Sequence, residues 1–127
     1  MKEKVFVSVV LYACNDEETV GNALFEIDQV MHQHYENYEI ILVNDGSHDR
    51  TLDRARSATE GLRGTISIIN LSRKHGTERA MTAGLNKSMG DFVFEIDSTS
   101  FDFPIEIIPA LQKKSKRRVR YCYSKLA

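Results

Sequence analysis

The sequence YEIILVNDGSHD, at residues 38–49, changes within one step from an apolar run to a polar loop. Its apolar half predicts a β-strand over 38–43. Its polar half is dense in turn-forming residues, and Ser47 or Asp49 is suited to cap a following helix. A strand, a polar loop and a helix in this order are typical of proteins built around a parallel sheet.

The same alternation extends in both directions along the chain. The predicted strands are 5–12, 38–43, 65–70 and 91–96. The first strand, VFVSVVLY, is a nearly unbroken apolar run, as expected of a strand buried on both faces. Helices are predicted after the first three strands, the third at 77–89, because apolar residues recur there at steps of three and four. The first helix is predicted to carry Asp16, Glu17 and Glu18 in its first turn. The predicted fold class is α/β, a Rossmann-like parallel sheet with helices on both faces.

Composition and cysteine content argue against a secreted protein and against an integral membrane protein. The 127 residues, 42% hydrophobic and 28% charged, have the proportions of an ordinary globular domain. No apolar run approaches the roughly 18 to 20 residues that a membrane span needs, and the N-terminus lacks the layout of a signal peptide. Cys14 and Cys122, far apart in the sequence, do not form a disulfide framework, which favours a reducing cytoplasm.

The C-terminal region is set apart by its charge. From residue 113 onward it carries no acidic residue and these basic ones: Lys113, Lys114, Lys116, Arg117, Arg118, Arg120 and Lys125. The predicted division is therefore a folded unit at 1–112 and a basic tail, truncated or poorly ordered, at 113–127, with no fifth strand. Such a tail suits RNA, anionic lipid or an acidic partner, but a solvated helix end is the favoured interpretation, and no nucleic acid is expected as a partner.

Polar and ionisable residues follow every predicted strand. They are Asn15 and Asp16, then residues 44–47, 72–76 and 97–102. Because ligands of open parallel sheets bind beyond the carboxyl ends of the strands, these residues predict a site on one rim. Carboxylates together with cations suit a nucleoside diphosphate with a metal. The Gly-x-Gly-x-x-Gly and P-loop motifs are both absent, and Cys14 is interpreted as a small buried thiol rather than a nucleophile.

Four segments, in order, resemble those of inverting family-two glycosyltransferases with the GT-A fold. They are VSVVLYACNDEE (7–18), EIILVNDGSHDRT (39–51), LSRKHGTERAMTAGL (71–85) and GDFVFEID (90–97). The resemblance covers residues 5–109, and its most specific element is the Asp-Gly-Ser-x-Asp-x-Thr pattern that begins at Asp45. The basic tail resembles no segment of the family. The resemblance identifies residues 1–112 as the nucleotide-sugar-binding half of a GT-A domain.

The resemblance implies a transferase that moves a sugar from a nucleotide-diphosphate donor to an acceptor hydroxyl with inversion, with UDP favoured over GDP. It implies these nucleotide-sugar-binding residues: Asp45 for the base, Asn15 and Asp16 near the base and ribose, Ser47 without a more specific role, Arg73 and Lys74 for the diphosphate, and Asp97 for the ribose and a divalent metal, Mg²⁺ or Mn²⁺. At the level of the family, it implies a cytoplasmic protein, peripheral to the inner face of the membrane, that serves polysaccharide or glycolipid assembly.

Three departures from the family pattern qualify this hypothesis. Thr99 stands where a second aspartate of the metal motif is expected, which weakens a site for a hard cation unless Ser100 or Asp102 compensates. Cys14 stands where an aromatic residue often stacks near the base. The family domain is about twice as long, and its second half supplies the acceptor site and a carboxylate base, so this chain alone is expected to be inactive and to self-associate through uncovered edges.

Two other interpretations stay open from the sequence. One is a truncated, non-catalytic module that binds nucleotide sugars. The other is a receiver-like or flavodoxin-like fold with an acidic pocket, which the lack of a predicted fifth strand disfavours.

Overall fold

The fold is a single five-stranded parallel sheet covered by helices. In this computed structural model the structure describes residues 3–100, 104–114 and 120–123. The strands are β1 (Glu3–Ala13), β2 (Tyr35–Asp45), β3 (Thr65–Leu71), β4 (Phe92–Ile96) and β5 (Arg120–Tyr123). The helices are α1 (Val20–His34), α2 (Thr51–Thr59), α3 (Thr77–Lys87) and α4 (Ile107–Lys114).

The strand order is β3-β2-β1-β4-β5, and every neighbouring pair is parallel. Strands β2 and β3 therefore lie on one side of β1, and β4 and β5 lie on the other side. The direction of strand addition reverses between β1 and β4, which is the topological switch point of an open parallel sheet. This confirms the predicted Rossmann-like α/β class.

The two faces of the sheet bury separate apolar cores. Alternate residues of β1, such as Val9 and Leu11, face a larger core that α1 closes with Leu24 and Ile27. The residues between them face a smaller core, in which α3 supplies Ala80 and Met81. Because side chains of a strand alternate between its faces, the unbroken apolar run of β1 fills both cores at once.

A buried carboxylate fastens the loop that enters β3. Asp28 of α1 accepts hydrogen bonds from the Tyr38 hydroxyl at 2.6 Å and from the backbone amides of Arg63 and Gly64, each at 3.0 Å. These groups together form what we name the Asp28 clasp. A β-carbon on Gly64 would lie 2.2 Å from the Tyr38 ring, so only glycine fits there without movement of the ring.

The bounds of α1 and α2, among others, differ from the sequence prediction. Helix α1 begins at Val20, with no acidic residue in its first turn, so the predicted placement of Asp16, Glu17 and Glu18 in that turn is wrong. The Asp16 carboxylate instead accepts a hydrogen bond from the Cys14 amide at 3.0 Å, which favours a turn before the helix. Helix α2 ends at Thr59, so the interpretation of Leu52, Ala55 and Leu62 as apolar positions of one helix after the second strand is wrong for Leu62.

The expected absence of a fifth strand is also wrong. Residues Arg120–Tyr123, assigned to the basic tail, form β5 and pair in parallel with β4, with Phe94 opposite Tyr121. A run of cations hides a short strand because its pairing depends on a neighbour that is distant in sequence.

Among the residues that the structure describes, none of the helices has the length and apolarity that a bilayer span requires.

Candidate functional site

The predicted site residues come together at the carboxyl edge of the sheet. Asn15 and Asp16 follow β1, Ser47 follows β2, and Asp97 follows β4. Strands β1 and β4 flank the switch point, where the two neighbouring loops leave in opposite directions and open a crevice. The structure thus places these residues on the rim where a ligand of this fold class is expected.

Asn15 locks the loop after β1 to the loop after β2. Its φ angle of 55° lies in the left-handed region, which asparagine tolerates better than most residues. Its side-chain oxygen accepts a hydrogen bond from the His48 amide at 2.7 Å, and its own amide donates to the Ser47 hydroxyl at 2.9 Å. The Asp16 amide donates to the Thr51 hydroxyl at 2.8 Å. These contacts make the two loops one rigid wall of the crevice.

A cleft of 220 Å³ opens beside this wall. Its lining is strongly acidic and consists of Asn15, Asp16, Glu17, Glu18, Thr19, Asp49 and Ser100. Partial burial of Asp49 opposes ionisation, but hydrogen bonds from the Thr51 hydroxyl and amide and from the Glu17 amide outweigh it, so the pKa of Asp49 lies below its ordinary value of 3.8. An acidic cleft favours sugar hydroxyls and cations and repels phosphate.

Asp45 lies beneath the rim rather than on it. Its side chain is fully buried. One carboxylate oxygen accepts a hydrogen bond from the His75 amide at 2.8 Å, and the other accepts from the Gly76 amide at 3.0 Å and from the Tyr12 hydroxyl at 2.8 Å. We name these groups together the Asp45 clasp. Its observed contacts fasten the loop between β3 and α3, and the direct contact of Asp45 with a base stays a prediction.

Tyr12 is the member of the Asp45 clasp that the sequence analysis missed. Its burial, reinforced by the hydrogen bond to Asp45, raises the pKa of Tyr12 above its ordinary value of 10.0, so the phenol is neutral and donates its proton. A hydroxyl on a buried strand, near the carboxyl end of that strand, was the available signal. The partner, however, lies 33 residues away and has no local spacing to reveal it.

Arg73 and Lys74 lie on the exposed part of the loop that the Asp45 clasp holds. Gly46, with a φ of 63°, packs against this loop so closely that a β-carbon would lie 2.3 Å from the Lys74 nitrogen and 2.4 Å from the Arg73 carbonyl carbon. The backbone of Arg73 and Lys74 therefore lies directly beside the loop that follows β2. They supply positive charge at the carboxyl edge, opposite in sign to the acidic cleft.

Asp97 is half-buried at the end of β4, while Thr99 is buried and its hydroxyl lies 2.7 Å from the Thr19 hydroxyl. Thr99 is thus engaged with the turn before α1 rather than presented to a metal. Asp102, the suggested substitute ligand, falls outside the described residues. Within the described ranges, no three His, Cys, Asp or Glu side chains are grouped to hold a metal ion. A single carboxylate still fits a Mg²⁺-type ion that takes its remaining ligands from water and phosphates.

The side chains of Cys14, His48 and His75 take no part in these contacts. Cys14 is half-buried and free. His48 and His75 are exposed, and each contributes a backbone amide to the loops. A second cleft, of 370 Å³, opens at the opposite, amino edge of the sheet beside the Asp28 clasp and contains none of the predicted site residues.

Comparison with known proteins identifies the family of this chain. The sequence pattern described as "Glycosyl transferase family 2" matches residues 8–124. The chain belongs to this family. The match runs through all four segments of the resemblance and continues across β5, so the expectation that the basic tail resembles nothing in glycosyltransferase family 2 is wrong.

Curated relatives in family 2 are longer than this chain. The uncharacterized glycosyltransferase YkcC of Bacillus subtilis (strain 168) is 32% identical over 113 residues, which cover 89% of this chain and 35% of that protein. The undecaprenyl-phosphate 4-deoxy-4-formamido-L-arabinose transferase of Serratia proteamaculans (strain 568) is 36% identical over 107 residues, 84% of this chain and 32% of that protein. The family 2 chain thus spans about a third of the length of these relatives.

Solved structures show the same GT-A fold. The mannosyl-3-phosphoglycerate synthase from Rubrobacter xylanophilus superposes on 78% of this family 2 chain and 32% of its own, with a TM-score of 0.62 and 28% identity. The mannosyltransferase PcManGT from Pyrobaculum calidifontis, solved in complex with GDP-Man and Mn²⁺, superposes on 73% of this chain and 28% of its own, with a TM-score of 0.64 and 18% identity.

Proposed function

We propose that the carboxyl rim binds a nucleotide-diphosphate sugar, with UDP favoured over GDP, for transfer of the sugar with inversion. The observation that carries this proposal is the separation of charge along one edge of the sheet. Exposed Arg73 and Lys74 stand on one side, and the acidic cleft with half-buried Asp97 stands on the other. A diphosphate suits the cations, while ribose and sugar hydroxyls suit the carboxylates.

In this reaction an acceptor oxygen attacks the anomeric carbon of the donor. A new carbon–oxygen bond forms as the bond to the diphosphate breaks, and the electron pair leaves with the nucleoside diphosphate. Arg73 and Lys74 stabilise the negative charge that develops there. Asp97 orients the ribose and is the carboxylate that would hold a divalent ion, which supplies further charge neutralisation when bound. The base that removes an acceptor proton lies outside the residues assigned here.

The acceptor that the family resemblance implies, and that we propose, is a hydroxyl in polysaccharide or glycolipid assembly. A relative named as an undecaprenyl-phosphate sugar transferase favours a second candidate, a lipid phosphate. Its acceptor atom would be an ionised phosphate oxygen, which needs no base to remove a proton. Either acceptor fits a cytoplasmic protein that works at the inner face of the membrane, with cations such as Lys113 directed to anionic lipid.

A calorimetric titration tests donor binding directly. The 127-residue chain is titrated with UDP and GDP, each with and without Mn²⁺. The double variant Arg73→Ala/Lys74→Ala is expected to bind at least about tenfold more weakly, since each charged hydrogen bond contributes roughly 1.5–3 kcal/mol. The matched control is Arg54→Ala, which removes an exposed cation from α2. Equal losses in both variants, or no binding of either nucleotide by the wild type, would contradict the proposal.

The metal and the oligomeric state have separate tests. Asp97→Asn keeps one oxygen that can accept a hydrogen bond from the ribose, so it is expected to bind nucleotide only slightly more weakly than the wild type without Mn²⁺ but to lose the gain that Mn²⁺ gives. A gain that survives in Asp97→Asn would assign the metal to other ligands.

Self-association of the chain is checked by sedimentation, and a monomer at all concentrations would contradict that prediction.

A further inference from the structure

The Asp45 clasp and the Asp28 clasp have the same arrangement of hydrogen bonds. In each, a tyrosine hydroxyl from a central strand donates to a buried aspartate, and that aspartate accepts two consecutive backbone amides of which the second belongs to a glycine. The Asp28 clasp fastens the loop that enters β3. The Asp45 clasp fastens the loop that leaves it. The two loops that flank β3, an edge strand, are therefore each held by the side chains of a buried aspartate and a tyrosine.

The two clasps differ in what their loops carry. Arg63 and Gly64 lie at the amino edge of the sheet, away from every predicted site residue. His75 and Gly76 lie at the carboxyl edge and directly follow Arg73 and Lys74. A shift of the two clasped amides at the carboxyl edge therefore moves both cations, since one peptide bond joins Lys74 to His75.

The Tyr12 hydroxyl completes the hydrogen bonding of Asp45. The carboxylate is fully buried, so water does not replace a lost donor without structural change. Its three donors engage both oxygens: the His75 amide donates to one, and the Gly76 amide and the Tyr12 hydroxyl donate to the other. Without the Tyr12 hydroxyl, the oxygen that also accepts from the Gly76 amide loses its second donor, so the buried carboxylate is held less firmly against the two amides.

We infer that Tyr12 is a positioning residue for nucleotide binding. Through Asp45 it fixes the start of α3 and the preceding loop, so that Arg73 and Lys74 are set in place before the diphosphate arrives. The inference deepens the proposed function and rests on it. Tyr12 itself touches no ligand in this scheme, because its hydroxyl is directed to the buried carboxylate.

The test compares Tyr12→Phe with Tyr38→Phe. Each variant loses one phenol hydroxyl from one clasp and keeps its ring, so their losses of stability are closely matched. Tyr12→Phe is expected to bind UDP or GDP about tenfold more weakly, which corresponds to about 1.4 kcal/mol. Tyr38→Phe is expected to bind as the wild type does. A merely structural role of Tyr12 would lower the melting temperature and leave the affinity unchanged.

Amide hydrogen exchange gives a readout that needs no ligand. In Tyr12→Phe the amides of His75 and Gly76 are expected to exchange faster, and in Tyr38→Phe those of Arg63 and Gly64. Wild-type affinity in Tyr12→Phe, unchanged exchange at His75 and Gly76, or an equal loss of affinity in Tyr38→Phe would each overturn the inference alone. A wild type that binds neither nucleotide would overturn the proposed function, and the inference with it.

Discussion

Replacing Gly46 with alanine tests the contact between the loops after β2 and β3. The added β-carbon would lie 2.3 Å from the Lys74 nitrogen, 2.4 Å from the Arg73 carbonyl carbon and 2.8 Å from the Arg73 α-carbon. These are backbone atoms, so no side-chain rotation relieves the overlap. The alanine would also have to adopt the φ of 63° that glycine adopts freely.

The two effects set the size of the loss. A left-handed conformation costs an alanine roughly 1–2 kcal/mol, and a forced backbone shift costs roughly 1–3 kcal/mol. The free energy of unfolding should therefore fall by about 2–5 kcal/mol, a large part of the roughly 5–15 kcal/mol typical of such domains. Because the clash displaces Arg73 and Lys74, affinity for the nucleotide should fall as well.

Two other glycines provide matched controls in urea unfolding. Gly76 has a φ of 98° but nothing within 4 Å of an added β-carbon, so Gly76→Ala isolates backbone strain, at roughly 1–3 kcal/mol. Gly61 lies just after α2, has a negative φ and only one neighbour, at 3.9 Å, so Gly61→Ala should change stability by less than about 0.5 kcal/mol. A loss in Gly46→Ala below 1 kcal/mol, or below that of Gly76→Ala, would refute the reasoning.

Three further outcomes are expected. Burial and the hydrogen bond to Asp28 raise the pKa of Tyr38, so its contribution to stability is complete below pH 10.0 and is lost as the pH rises above that value. In urea unfolding from about pH 9 to 11, the free energy of unfolding should therefore decline less steeply with pH in Tyr38→Phe than in the wild type, and equal slopes for the two proteins would contradict this. The pKa of Asp49 is lowered, because hydrogen bonds from Thr51 outweigh partial burial, so its contribution is complete above pH 3.8 and is lost as the pH falls; Asp49→Asn should lose this part of the acid dependence. Gly84→Ala would place a β-carbon 2.4 Å from a Val10 methyl and 2.9 Å from a Val43 methyl, which should lower the free energy of unfolding by roughly 1–3 kcal/mol before any gain in helix propensity. Val10→Ala in the same chain removes the closer contact and should relieve part of this loss, whereas losses that simply add would argue against the contact.

The sheet was predictable because its signals are local. The apolar runs around Val9, Ile41 and Phe94 are each long enough to identify a strand without knowledge of its neighbours. The position of each loop residue on the rim followed from strand direction alone. Strand β5 was not predictable in this way, since Arg120–Tyr123 is short and its place beside β4 depends on pairing across the sheet.

The roles of single site residues were harder to predict than their location. Asp45 was correctly placed at the end of β2, but its full burial and its three donors follow from contacts with residues 30 or more positions away. Asp28 occupies a helix position that no local pattern marks, although α1 buries it. A sequence pattern shows where a carboxylate stands along its own element, but not which distant amides converge on it.

The close contact at Gly46 makes the loops after β2 and β3 inseparable in any effort to change the ligand. A longer or bulkier segment grafted into residues 73–76 would meet the backbone at Gly46, and a change at residues 45–47 would meet the backbone of Arg73 and Lys74. Segments from a related transferase should therefore be exchanged as a pair. A library that varies one loop while keeping the other would consist mainly of chains that fail to fold, whatever nucleotide they were designed to bind.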